Sequence, residues 1–179
     1  AIEVLKPDVK ASDVGRVIEE TVKSCGYKVI KNLSGHSIDR YKIHSGLSIP
    51  NYNEVFNRAR LSEGVYAVEP FATNGYGLVV SGPQTTIYAL KSYGKRELPE
   101  SAKKLADRVW SERKTLPFCK RWYINTFSSI EELDKSLKTL ERKGMLIKYP
   151  VLSENARGVV SQHEHTIVIT GKDVIVTTA

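Results

Sequence analysis

This sequence has almost no thiol chemistry to offer. Its two cysteines, Cys25 and Cys119, lie far apart. It therefore holds neither a disulfide framework nor a cysteine zinc site, and both residues read as small, buried or half-buried apolar groups of a reducing compartment. No apolar run approaches the ~18–20 residues that a membrane helix needs, and no secretory leader is visible. The H-E-x-x-H helix of many zinc peptidases is absent, as are internal repeats and low-complexity tracts. What remains is 179 residues with a 41% apolar share, enough for one globular domain or one domain with an insertion. Ala1 to Lys6 reads as the tail of a helix stopped by Pro7, so the expectation is that further sequence precedes it.

The formal net charge is +7, and residues 91–148 carry all of the excess, with 15 Lys and Arg against 8 Asp and Glu. A basic segment beside a neutral one is either a solvated surface or a docking face for an anionic partner such as nucleic acid or a ribosome.

Helical spacing of Val14, Val17, Ile18, Val22 and Cys25, with Ser12 as N-cap and Gly26 as stop, predicts a helix over 12–25. Tyr27–Lys31 is strand-like, and residues 32–53 read as irregular structure with short strands, of the kind that carries function. Gly64–Phe71 predicts a strand, and two more are expected on either side of a Gly82-Pro83 turn. The texture then changes. Helices are expected from Leu98 to about Lys114 and near Pro117–Tyr123. A third starts at the Ser129/Glu132 capping box, with Ile130, Leu133, Leu137 and Leu140 as its apolar stripe. Met145–Tyr149 resembles the first strand of a wing. Gly158–Thr170 and Val174–Thr178 predict a hairpin through Gly171-Lys172-Asp173, too small to stand alone. The pattern is an α+β domain, residues 1–97 and 149–179, interrupted by a helical insertion over 98–148.

The residues able to carry chemistry are His36, His44, His163 and His165, with Glu69 and Glu164 near them in sequence. On a strand, His163 and His165 share one face and Glu164 the other. Either the histidines chelate a metal, or Glu164 points alone into a polar pocket, or the segment is an ordinary exposed strand. Glu69 interrupts an apolar strand, where an unpaired buried carboxylate would cost several kcal/mol; it must reach water, pair, or bind a metal. Gly35 before His36 permits a sharp turn or a close backbone approach.

Together these segments carry a resemblance. Asn32 to Gly46, with its G-H and K-x-H-x-G elements, the strand Tyr66-Ala67-Val68-Glu69-Pro70-Phe71-Ala72-Thr73, and Ser161-Gln162-His163-Glu164-His165-Thr166-Ile167 are similar, in order and spacing, to type 2 methionine aminopeptidases, the archaeal and eukaryotic branch of peptidase family M24. Leu116-Pro117-Phe118, Arg121-Trp122 and Tyr149-Pro150-Val151-Leu152 fit as well. The resemblance covers nearly the whole chain and corresponds to the C-terminal part of such an enzyme. It implies the pita-bread (creatinase/aminopeptidase) fold with a winged-helix-like insertion, two divalent metal ions (Co, Mn, Fe or Zn), and removal of the N-terminal methionine from nascent polypeptides in the cytoplasm. Carried over by motif, His36 and Glu69 are ligands of one ion and Glu164 bridges both; a ligand carboxylate lies beside the attacking water, so Glu69 is also expected to accept its proton. His44 contacts the substrate backbone, while Ile43, Tyr149 and Leu152 line the methionine pocket.

The departure is equally definite. The family uses five metal ligands, and two of them are aspartates that precede the segment seen here, as does an essential histidine. Asp8, Asp13, Asp39, Asp107, Asp134 and Asp173 do not sit in the aspartate motif. The expectation is that this chain alone is inactive or nearly so, as a shortened chain, as one piece of a split enzyme whose partner is the missing N-terminal segment, or as a non-catalytic relative. A different class, a ribosome- or nucleic-acid-binding module, draws on the basic segment. Sequence-specific DNA is disfavoured, because Glu131, Glu132, Asp134 and Glu141 on the candidate recognition helix would repel phosphate.

Overall fold

The computed structural model describes residues 1–94 and 97–178. Lys95 and Arg96, two cations of the basic segment, lie outside the described residues. The first half of the chain runs through β1 (Val9–Lys10), α1 (Ala11–Ser24), β2 (Lys28–Val29), β3 (Ser34–Ile38), β4 (Ser48–Pro50), β5 (Arg60–Leu61), β6 (Gly64–Val68) and β7 (Phe71–Thr73). There follow β8 (Val79–Leu90), α2 (Glu100–Arg113), β9 (Phe118–Cys119), a 3-10 helix (Lys120–Thr126) and α3 (Ile130–Arg142). The chain closes with β10 (Leu146–Glu154), β11 (Val160–Gln162), β12 (His165–Ile169) and β13 (Val174–Val176). Among the described residues no helix is long and apolar enough to cross a membrane.

Two compact units result, Ala1–Val80 with Leu152–Ala179, and Ser81–Val151. The second takes in the helical stretch over 98–148 and also most of β8 and β10. These two strands form one three-stranded sheet with β9, and the helices of that unit bury their apolar faces against strand residues such as Leu90 and Phe118.

In the first unit a five-stranded sheet has the order β13-β12-β6-β3-β4, and a three-stranded sheet has the order β11-β7-β2. Val14 and Ile18 of α1 join Ile49, Tyr66, Val68, Ile167 and Ile169 in one core; each such side chain, fully withdrawn from water, contributes about 1.5–3 kcal/mol. Ser12 is not the N-cap of α1. The helix starts one residue earlier, no side chain caps it, and Ser12 is buried inside its first turn. Cys25, expected to be at least half-buried, is exposed.

The second unit packs Leu105 and Val109 of α2 with Leu133, Leu137 and Leu140 of α3. Ser129 caps α3 as its spacing predicts, accepting from Glu132 N at 3.2 Å, while the Glu132 carboxylate accepts from Ser128 N at 3.0 Å. Ile130 is 47% exposed and does not join the stripe; it stands at the first helical position, before the face turns inward. Gly82-Pro83 makes no turn either, because β8 runs straight through it. Proline fits a strand wherever its missing N–H is not needed by the ladder.

Candidate functional site

The expected strand Gly64–Phe71 breaks at Glu69-Pro70. Proline brings no N–H to a ladder, and here the chain leaves the five-stranded sheet as β6 and enters the three-stranded sheet as β7. The expected strand Gly158–Thr170 breaks in the same way at His163-Glu164. There β11, paired with β7, gives way to β12, paired with β6 and β13. Glu69 and Glu164 thus occupy the two crossings between sheets, where carboxylates escape the pairing that fills a strand interior.

Register decides which way they face. His36 on β3 lies opposite Ala67 on β6, and Ala67 lies opposite Thr166 on β12. Glu69 is two residues past Ala67 and Glu164 two before Thr166, so alternation along antiparallel strands puts both carboxylates on the face of His36. His36 Nε2 sits 3.2 Å from Glu69 Oε1, with the two side chains only 11% and 15% exposed. Of the three fates open to Glu69, pairing is the one observed. Burial of His36 disfavours its charge, but the hydrogen bond and charge of Glu69, the Ser37 carbonyl and the charge of Glu164 outweigh this and raise its pKa.

His44 arrives from the loop between β3 and β4, its ring centroid 4.2 Å from that of His36 and edge-on to it. Burial and the His36 charge, against the pull of Glu69, lower its pKa and favour the neutral ring. The loop is held by Ser37, whose hydroxyl accepts from Ser45 Oγ at 2.8 Å and from Leu47 N at 2.9 Å. Neither serine stood out in the sequence, although Ser37 adjoins His36. Ile43 is half-buried in the same loop. Leu152 is exposed in the first unit. Tyr149 is half-buried in the second, where burial raises its phenol pKa.

Gly35 supplies a close approach. A Cβ there would run into the Ala67 carbonyl oxygen and come within 3.3 Å of Val68 Cα. Replacing Gly35 with Ala forces β3 away from β6, carrying His36 from Glu69. The expected penalty of about 1–3 kcal/mol appears as a melting midpoint lowered by roughly 3–10 °C in differential scanning calorimetry.

Sequence reasoning missed Glu154. It is 5% exposed, and its carboxylate accepts from the backbone N–H groups of Tyr76 at 2.5 Å, Gly77 at 2.9 Å, Ala156 at 2.7 Å and Gly158 at 2.9 Å. Gly75 makes room for it, since a Cβ at that position would overlap the carboxylate. Glu154 fastens the segment leading into β11, and hence Glu164, to the segment following β7.

Imidazole and carboxylate donors suit divalent first-row ions, and the face bearing His36, Glu69 and Glu164 has that chemistry. Among the described residues, however, no group of three or more His, Cys, Asp or Glu side chains stands ready to hold an ion.

Comparison with known proteins places these observations. Residues 1–171 match the sequence model of Metallopeptidase family M24. A methionine aminopeptidase of Saccharolobus solfataricus is 42% identical over 178 residues, covering 99% of this chain and 59% of that protein. One from Pyrococcus abyssi is 42% identical over 179 residues, covering 99% and 60%. The chain therefore spans about three-fifths of the length of these curated relatives. Among solved structures, a thermophilic Arx1 superposes with a TM-score of 0.74 at 18% identity, covering 97% of this chain and 46% of that one. The methionine aminopeptidase of Thermotoga maritima gives 0.54 at 20% identity, covering 98% and 45%. At such identities the likeness speaks for the fold, and the pita-bread architecture implied by the sequence resemblance is borne out.

Proposed function

Since the chain belongs to metallopeptidase family M24, we propose that it is the C-terminal, ligand-bearing part of a methionine aminopeptidase. The observation that supports this best is the shared face of His36, Glu69 and Glu164, set by strand register at the two crossings between sheets. In this reading His36 Nε2, Glu69 and Glu164 would be this chain's ligands to divalent metal. Bound there, divalent metal (Co, Mn, Fe or Zn) would supply a water of lowered pKa and polarisation of the scissile carbonyl.

The chain's own groups do the rest. Glu69 takes the proton from the attacking water, lying already beside it. His44, favoured neutral, can donate one N–H to the substrate backbone without adding a second positive charge beside His36. Ile43 and Leu152 offer apolar contact to a methionine side chain. The substrate class is the N-terminal methionine of nascent polypeptides.

Three donors are too few for two ions, so the 179-residue chain by itself turns over little or no substrate. Its further partner is a segment supplying two aspartates and a histidine. The test is hydrolysis of a Met-Ala-Ser peptide with added Co²⁺ or Mn²⁺. Negligible release of methionine by the purified chain, restored on adding the N-terminal segment of an archaeal relative, is the expected outcome. Rates from the chain alone that match intact family enzymes would overturn the incomplete-site reading.

A second reading concerns the basic unit. Lys103, Lys104, Arg108, Arg113, Arg121, Lys135 and Lys138 are exposed on it. Two of the acids on or beside α3 are already paired, Asp134 with Lys120 at 2.5 Å and Glu141 with Lys148 at 2.6 Å. This balance supports ribosome docking, compatible with action on nascent chains, while Glu131 and Glu132 in the first turn of α3 still oppose sequence-specific DNA binding. Association with ribosomes is expected to weaken steeply with rising salt.

A further inference from the structure

His163 and His165 fall on the side of the strand away from Glu164. Gln162 Nε2 donates to Glu164 Oε2 at 3.3 Å on one side of the segment, and on the other the two imidazoles meet, Nε2 to Nε2, at 3.1 Å. Their ring centroids are 4.7 Å apart at an interplanar angle of 78°. His163 is exposed and His165 half-buried. The second ring nitrogen of His165, Nδ1, lies 3.1 Å from Thr178 Oγ1, and that hydroxyl is itself fixed by accepting the Thr166 N–H at 3.0 Å. Register places His165 opposite Val68, on the sheet face that carries the apolar core rather than on the face of His36.

From this geometry we infer that His163 and His165 form a separate, two-imidazole chelate for a late first-row transition ion, Cu(II) or Ni(II). An ion about 2.0–2.1 Å from both Nε2 atoms, at the observed 3.1 Å separation, subtends an angle of about 95–102°. That angle lies between the corners of a square-planar and a tetrahedral ion, so the choice of metal rests on the donors: at nitrogen ligands Cu(II) heads the affinity order of the divalent first-row ions. Without an ion the short contact is a hydrogen bond, one Nε2–H donating to the other Nε2. Binding exchanges that proton for the ion. The donor ring shifts its hydrogen to Nδ1 through solvent, both rings stay neutral, and water completes the coordination. Thr178 acts as a positioning residue, accepting from His165 Nδ1–H as the partners of metal-bound imidazoles commonly do. The inference stands apart from the aminopeptidase reading, since it uses neither Glu69 nor Glu164.

The test is Cu(II) titration of the protein as purified and of its H36A/H44A/E69A form, which removes both imidazoles and one carboxylate of the opposite site. Electron paramagnetic resonance should show coupling to two imidazole nitrogens in the H36A/H44A/E69A form. Adding H163F to that background should weaken Cu(II) binding at least tenfold and remove the coupling to one nitrogen. Affinity retained within twofold after H163F overturns the inference. In the unsubstituted protein, substoichiometric Cu(II) should broaden the NMR signals of His163, His165 and Thr178. Broadening confined to His36 and His44 overturns the inference too, whatever the stability of the variants.

Discussion

Replacing Glu69 with Gln is expected to lower kcat/KM for a Met-Ala-Ser peptide by about 10³-fold in any preparation that shows turnover. Under the proposed function, two contributions act together in this residue. The carboxylate is held beside His36 Nε2 at 3.2 Å, where Gln keeps the shape and one acceptor oxygen but loses the charge that binds an ion. It also loses the basicity needed to take a proton from water. A variant that weakened metal binding alone would recover at high Co²⁺ or Mn²⁺; E69Q should not, because the proton acceptor is still gone. Full recovery on raising the metal concentration would show that Glu69 is a ligand without a role in proton transfer. Glu164→Gln provides the contrast. It keeps the acceptor at Glu69 and should respond to added metal.

The largest expected effect on stability lies at Glu154. Four backbone N–H groups converge on its carboxylate, and a Gln in its place turns one acceptor oxygen into an NH₂ facing donors. Two of the four buried donors then lose their acceptor and face an NH₂ instead, so the melting midpoint of E154Q should fall by on the order of 10 °C. Burial pushes the Glu154 pKa upward, but the N–H groups of Gly158, Gly77, Ala156 and Tyr76 outweigh it and hold the carboxyl below its usual 4.5. A group with a depressed folded pKa contributes stability above its unfolded pKa and loses it as pH falls through the folded value. The midpoint gap between the original protein and E154Q should therefore be widest above about pH 4.5 and narrow below it. A gap that stayed constant down to pH 3 would mean that the charge of Glu154 contributes nothing.

The helices were legible because their signals are local. The period of Val14, Ile18 and Val22 announced α1, and the Ser129/Glu132 spacing announced α3 within a residue. The strands were harder. Gly64–Phe71 and Gly158–Thr170 each read as one strand, since local propensity does not register a change of sheet. Glu69-Pro70 is visible as an interruption, but nothing nearby says that His163-Glu164 marks the matching crossing. Ser12 misled as a cap because a polar residue near a helix start looks the same whether it stands before the first turn or within it. Glu154 could not be found at all. Its partners lie at 76, 77, 156 and 158, and only the folded chain brings the two pairs together.

Three motifs in a fixed order are enough to assign the family, and with it the residue types at 36, 69 and 164, whose chemistry suits a divalent ion. Tertiary structure decided which way these side chains face and what stands beside them. Facing follows from strand register, a relation between segments far apart in the chain, and a shift of one residue would have sent His36 and Glu69 to opposite sides of the sheet.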